Sequence, residues 1–341
     1  MIKYLGLRFL GMIPTLLVIS FLTFFIIELP EGDYISNQIS MLKATGETAS
    51  IAKLDFLRRE FALDRPFLER YAIWVGLWPG PHGFDGLLQG NWGWSFEFDR
   101  PVEEVVGPTL LLTVLINTAA ILFVYLVSFP IGIYSATRQY SWGDYGFTLL
   151  GYIGLATPNF LLGLVLMYVA NVWFDLSIGG LMDPKYIGEP WSIDKALSVL
   201  AHMIVPTIVI GTAGTAAMIR RLRANLLDEL HKQYVVTARA KGMRESALLV
   251  KYPLRMALNP FIADIGNLIP TLVSGSIIVS VVLNLPTVGP ILLSALQSQD
   301  QFLSAFILLF VSILTLIGML VSDVLLAFLD PRIRLGGRER K

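Results

Sequence analysis

Residues 234 to 260 read YVVTARAKGMRESALLVKYPLRMALNP, a basic stretch set between two strongly apolar parts of the chain. From Arg220 to Asp264 nine basic residues stand against four acidic ones, a net charge of +5. Leu226, Leu227, Leu230, Tyr234, Val235 and Ala238 recur at helical spacing, which predicts one amphipathic helix from Ala224 to Lys241. Gly242 stands where that helix would end in a left-handed residue, the conformation glycine adopts at least steric cost. A second helical run begins near Glu245, carries Ala247, Leu248 and Val250, meets Pro253 and ends at Asn259-Pro260. Two short helices joined at a glycine make a knob. Its chemistry is recognition: a helix seated in a partner's groove converts motion of one subunit into motion of another.

Bond-making chemistry has little to work with. The 341 residues include no cysteine, so disulfides, thiolate metal sites and cysteine nucleophiles are excluded. Neither G-x-x-x-x-G-K-[ST] nor the dipeptide GK occurs, so nucleotide phosphates have no backbone cradle with its lysine. H-E-x-x-H, G-x-S-x-G and paired intramembrane aspartates are also missing, which argues against an intramembrane enzyme. With a formal net charge of zero there is no electrostatic reason to expect nucleic acid as a partner.

The knob must be positioned by something, and composition says what. Hydrophobic residues make up 55% of the chain and charged ones 15%, so the bilayer is its solvent. Crossing roughly 30 Å of hydrocarbon takes about 20 apolar residues. Six charge-free windows are long enough: Arg8 to Glu28, Glu104 to Arg138, Asp144 to Asp175, Lys195 to Arg220, Asp264 to Asp300 and Asp300 to Asp323. The first exceeds a signal-peptide core and lacks a small-x-small cleavage pattern, so it reads as a retained anchor. Seventeen of the 26 lysines and arginines fall in segments that are cytoplasmic if the N-terminus is inside. Seven of the remaining nine lie in one long outer segment that counts little, so both termini are placed in the cytoplasm. The fold expected is all-α and integral to the membrane: residues 1–30 hold the first span, 31–107 an outer insertion, and 108–341 a five-helix core with a cytoplasmic loop at 220–264.

Within the insertion, Ile51, Leu54, Leu57 and Phe61 predict an amphipathic helix stopped by Pro66, and FLERYAIWVGLW a second one. Residues 79–93 read as loop. Trp74, Trp78, Trp92 and Trp94 are expected to pack or anchor at the membrane interface, with contact to a soluble delivery protein as the alternative. Pro130, Pro158, Pro206 and Pro270 interrupt the spans, and Gly163, Gly211, Gly214, Gly266 and Gly275 permit close helix approach. Asn117, Thr118, Ser128, Thr157, Asn159 and Ser274 are polar positions inside spans. Each could face a cargo path, or bond another helix. His202, near the outer end of its span, reads as a satisfied interfacial histidine. The scarcity of midplane ionisable groups argues against an ion-driven secondary transporter.

TARAKG with the basic helix and NP after it resembles the EAA loop of ATP-binding-cassette importer permeases of the dipeptide/oligopeptide family, in the form carried by the first of two permease subunits. RFLGMIPTLLVISFLTFFII, LDRPFLERY, GNWGWSF, RPVEEVV, FPIGIYSATR, ATPNF, LPTVGPILLSAL and FLDPRIR follow in that family's order. The resemblance implies a type I importer permease in a bacterial inner membrane, with a periplasmic insertion between helices 1 and 2. It implies as partners a second homologous permease, two ATPase subunits and a solute-binding protein. The cofactors ATP and magnesium would belong to the ATPases, with none in this chain. It also places coupling to the ATPase on Thr237, Ala238, Arg239, Ala240, Lys241 and Gly242, with Arg244 and Glu245 adjoining. Ser280, Leu285 and Thr287 depart from the acidic residue, tryptophan and glycine of many relatives. Since members also carry oligosaccharides and metal complexes, the cargo class stays open between peptides and these.

Overall fold

The computed structural model describes residues 2–30, 32–45, 54, 56–174 and 179–329. Ile51 of the first insertion helix and the closing segment from Asp330 lie outside the described residues. Because a spanning backbone must satisfy its own polar groups in lipid, the apolar windows fold as helices. In chain order they are α1 (Ile2–Ile27), α2 (Tyr34–Thr45), α3 (Phe67–Val75), α4 (Val102–Thr137), α5 (Trp142–Ala156), α6 (Asn159–Phe174) and α7 (Ile193–Leu230), followed by α8 (Gln233–Ala240), α9 (Glu245–Lys251), α10 (Pro253–Ala263), α11 (Ile265–Val282), α12 (Val288–Gln297) and α13 (Gln301–Leu329). A two-stranded antiparallel hairpin, β1 (Trp94–Ser95) and β2 (Arg100–Pro101), precedes α4.

Among the described residues, α1, α4, α7, α11 and α13 are long and apolar enough to cross a membrane. The third expected span is broken: α5 and α6 meet at 105°, and only if that pair counts as one does the total reach six. The break falls at Thr157-Pro158. Thr157 is extended, as a residue before proline prefers, and its hydroxyl returns to the Ile153 carbonyl at 2.8 Å. Pro130, Pro206 and Pro270, by contrast, sit inside continuous helices. The fifth window holds a span, α11, and then the short apolar helix α12.

The chain divides into two compact units. One is built on residues 114–286 with 1–9 and 314–341. Its core joins Val124, Met218, Leu222, Leu226, Ala257 and Phe261. Close approach of α11 to α13 depends on Gly266, where an added Cβ would lie 2.8 Å from the Met319 backbone nitrogen. Tyr125 donates its hydroxyl to the Phe261 carbonyl at 2.8 Å, tying α4 to α10. His202 is buried and bonds through Nδ1 to the Ser198 carbonyl, 2.8 Å away, but its Nε2 has no hydrogen-bond partner among the described residues, so the ring is only half satisfied and not fully so as expected.

The second unit comprises residues 10–113 and 287–313. Aromatic rings fill it. Phe24 stacks on Trp74 at 5.2 Å, Phe61 on Trp94 at 5.7 Å and Trp92 on Phe306 at 4.3 Å, so three of the four tryptophans pack while Trp78 stays exposed. Helix α3 forms as expected and stops at Gly76, whose φ of +91° is left-handed.

Asp300 fastens the hairpin to the start of α13. Fully buried, its carboxylate accepts from the Ser95 hydroxyl at 2.7 Å and from the backbone N–H groups of Glu97 at 3.0 Å and Leu303 at 3.3 Å. Burial nonetheless pushes its pKa above the ordinary 3.8, outweighing those donors. A carboxyl whose folded pKa is raised stabilises the fold most below its unfolded value, and that contribution is lost as pH rises through the folded value. The melting temperature of the parent protein should therefore carry a declining component above pH 3.8 that Asp300→Asn removes. Parallel melts of the two proteins across acidic to neutral pH check this, and identical slopes would refute it.

Candidate functional site: a helical knob and a helix-lined cavity

The basic stretch folds as a knob, with two differences from the sequence expectation. The predicted helix from Ala224 to Lys241 is not continuous. Its first part extends α7, a 38-residue helix, and the chain breaks at His231. There the His231 ring bonds the Leu227 carbonyl at 2.7 Å and the Lys232 N–H takes the Glu229 carbonyl three residues back, so the last turn tightens and closes. The second run likewise does not end at Asn259-Pro260. Pro253 breaks it instead: Tyr252 leaves helical geometry at φ −120°, ψ −78°, and Pro253 starts α10 in the first-turn position where a missing N–H is harmless.

Gly242 does what its type predicts. With φ +77° it lets its own N–H reach the Arg239 carbonyl at 3.0 Å and the Met243 N–H reach the Ala238 carbonyl at 3.3 Å, closing α8 with the paired bonds of a Schellman turn. The turn folds α9 back on α8. Val235, Ala238 and Leu248 form a small buried core, with Met243 and Tyr252 packed against it. Arg239 and Glu245 bridge the two helices from outside in a two-point contact, Nε to Oε1 at 2.5 Å and Nη2 to Oε2 at 3.1 Å. That pair of hydrogen bonds holds the Glu245 carboxyl below its usual range and raises Arg239.

Of the eight residues singled out for coupling, Ala238 is buried as a strut between the helices. Thr237, Arg239, Ala240, Lys241, Gly242, Arg244 and Glu245 are all exposed around one turn. A basic rim on a stiff, small-cored platform can enter a groove without reshaping.

Two links that the sequence reading missed fix the base of α7. Arg223 grips Asp144 at the start of α5 with both nitrogens, Nε to Oδ1 at 3.1 Å and Nη2 to Oδ2 at 3.0 Å, and the Tyr140 N–H donates to the same carboxylate at 3.0 Å. Asp144 is 3% exposed. Ser141 caps the helix by accepting from the Asp144 N–H at 3.2 Å, and Ser-x-x-Asp ahead of an apolar run is the signal that could have located this end. On another side of the helix, Arg221 pairs with Asp264 at 3.0 Å and lies 5.2 Å over the Phe261 ring. The two pairs tie α7, at whose end the knob stands, to α5 and to the residue that closes α10.

A family model, described as binding-protein-dependent transport system inner membrane component, matches residues 128–335, which contain the whole knob. The chain belongs to that family. Among similar proteins is the oligopeptide transport system permease protein AppB of Bacillus subtilis, 32% identical over 337 residues that cover 98% of this chain and 99% of the relative. The glutathione transport system permease protein GsiC of Pectobacterium atrosepticum is 34% identical over 339 residues, covering 98% and 99%. A putative peptide permease protein of Brucella ovis is 30% identical over 341 residues, covering 98% and 100%. This binding-protein-dependent transport permease is thus a multi-pass membrane protein and a transport component.

In such a permease the polar positions within spans bear on the path. Helices α4, α6, α7 and α11 enclose a cavity of about 330 Å³. Asn159, at the break between α5 and α6, lines it, as do Arg221, Thr271, Gly214 and Gly275. Gly275 meets nothing within 4 Å of an added Cβ, so its role is room rather than helix approach. The other five positions do not line this cavity. Ser128 donates to the Thr215 carbonyl on α7 at 3.3 Å, Thr157 bonds its own helix, and Asn117 is buried, while Thr118 and Ser274 are exposed. Ser280 lies inside α11 and is buried, as are Leu285 and Thr287 beyond it.

Proposed function

We propose that this permease forms half of the translocation path of an ATP-driven importer and is moved through the knob by ATPase subunits that it does not itself contain. The supporting observation is mechanical. An exposed basic turn, stiffened by its own core, stands at the end of a helix that continues into the wall of a polar-edged cavity. Thr237, Arg239, Ala240, Lys241, Gly242, Arg244 and Glu245 form the contact surface, with Ala238 buried beneath them as its support, and Asn159 with Arg221 and Thr271 faces the path. ATP binding with magnesium in two partner ATPases pulls the knobs together and tilts α7, closing the cytoplasmic side. A second homologous permease supplies the other half of the path, and a solute-binding protein delivers cargo from outside. The distribution of lysine and arginine supports an inner-membrane orientation with both termini cytoplasmic. Relatives named for oligopeptides and glutathione support a peptide cargo.

The absence of native cysteine makes the test clean. Ala240→Cys carrying a short photoreactive label, assembled with its partner subunits in lipid, should on illumination join the ATPase subunit, with a yield that changes between nucleotide-free and ATP-bound complexes. A transport-competent assembly whose labelled variant yields no ATPase adduct would refute the coupling surface.

A further inference from the structure

Helix α3 crosses α1 instead of running beside it. Phe67 at its start and Trp74 near its end both pack on the Phe24 ring, at 5.9 and 5.2 Å. Between them the side chains part. Arg70 reaches forward along α1 to Glu28 at 2.5 Å, while the Tyr71 hydroxyl reaches back to the Ser20 hydroxyl at 2.7 Å and donates to the Leu17 carbonyl at 3.3 Å. Both ends at one level, with the middle splayed to either side, describe a helix laid across α1 at Phe24.

That level can be converted into a depth. The spanning part of α1 runs from Gly6 to Ile27, and its charge-free stretch is bounded by Arg8 and Glu28. At about 1.5 Å per residue this stretch accounts for roughly 30 Å of hydrocarbon, which puts Phe24 about 6 Å inside the boundary that Glu28 marks. An amphipathic helix lying in the membrane plane rests about 5–10 Å into the junction of headgroups and acyl chains.

The faces of α3 agree with that depth. Arg70 points to the membrane surface, where its carboxylate partner sits. Leu68 is two residues earlier, and at about 100° per residue it points to nearly the opposite side, into the hydrocarbon. Leu68 is more than half exposed, as are Leu77 and Trp78 where the chain leaves the helix. On α1 the exposed Leu22 and Phe25 bring the lipid face up to the same place, Phe25 touching Phe67 at 5.7 Å. Ser20, buried below, is satisfied by Tyr71, as a hydroxyl at this depth must be.

We propose that α3 is an interfacial helix lying in the plane of the membrane, in the leaflet at the C-terminal end of α1, with Leu68, Leu77 and Trp78 seated among lipid acyl chains. The segment after the first span thus grips the bilayer and does not stand wholly in water. This needs only that α1 crosses the membrane, and is independent of the coupling surface, the cargo and the orientation.

Because the chain has no cysteine, single substitutions carry the test. In the full chain in lipid nanodiscs, nitroxide labels on Leu68→Cys and Leu77→Cys report collisions with oxygen, which concentrates among acyl chains, and with a polar nickel chelate, which stays in water. Both positions are exposed, so the label displaces no packing. Leu22→Cys supplies the lipid reference and Lys232→Cys, exposed on the knob, the water reference. The oxygen-to-nickel ratio at both α3 positions should fall within about fivefold of the Leu22 value and several-fold above the Lys232 value. An in-plane helix holds both ends at one depth, so a ratio at the Lys232 level at either position would overturn the placement. Nickel collisions that are lost only when a solute-binding protein is added would overturn it too, by assigning the face to a protein instead of lipid.

Discussion

Replacing Asp144 with alanine should lower stability by about 3 kcal/mol, seen as a fall of roughly 5–10 °C in melting temperature in detergent. The carboxylate accepts two guanidinium bonds and one backbone bond, and all three donors would face a void. The lower end of the range for a broken buried pair applies because Arg223 keeps part of its side chain in solvent. Tyr140, held at φ +61° by its bond to Asp144, would also relax. The joint replacement Asp144→Leu with Arg223→Met tests the cause. Removing both charges leaves only the Tyr140 N–H unmatched, at a cost of about 1 kcal/mol, so the double variant should melt above Asp144→Ala. If the two melt alike, volume rather than charge governs the site. Transport separates the roles further: the double variant, though stable, loses the rigid tie between α5 and the base of α7 and should still transport poorly.

That tie illustrates where reading the chain stops. Charge-free windows locate the spans because lipid admits almost no alternative to an apolar helix. Gly242 locates the turn because few other residues occupy positive φ cheaply. Asp144 and Arg223, however, are 79 positions apart, and each alone reads as an ordinary charge at a membrane edge. The cavity is opaque for the same reason. Asn159, Gly214, Arg221, Thr271 and Gly275 come from three helices, α6, α7 and α11, and only packing brings them to one void. Prolines are ambiguous for a local reason. Pro158, Pro206 and Pro270 look equivalent in apolar windows, yet the chain bends at Pro158, where Thr157 turns extended and both its N–H and its hydroxyl return to the Ile153 carbonyl. The early helix end at His231 is invisible in the sequence because no glycine or proline marks it. A ring nitrogen and a bond from an N–H to the carbonyl three residues back close that helix instead.

Gly242→Val should reduce ATP-driven transport by about tenfold or more while leaving the membrane core folded. A β-branched residue at φ +77° carries roughly 1–2 kcal/mol of backbone strain, enough to shift the turn but small against the stability of the spans. An added Cβ meets nothing within 4 Å, so the defect arises in the backbone and not from a clash inside this chain. Opening the turn moves Arg239 away from Glu245 and loosens the Val235–Leu248 core that fixes the exposed rim. ATP hydrolysis by the assembled complex should then continue without responding to loaded binding protein, which is the signature of a lever that slips. Gly242→Asn provides the discriminating comparison, because asparagine tolerates the left-handed region and should retain most transport. Equal loss in the valine and asparagine variants would mean that any side chain at this position obstructs the partner's groove. The glycine would then be required for contact and not for the turn.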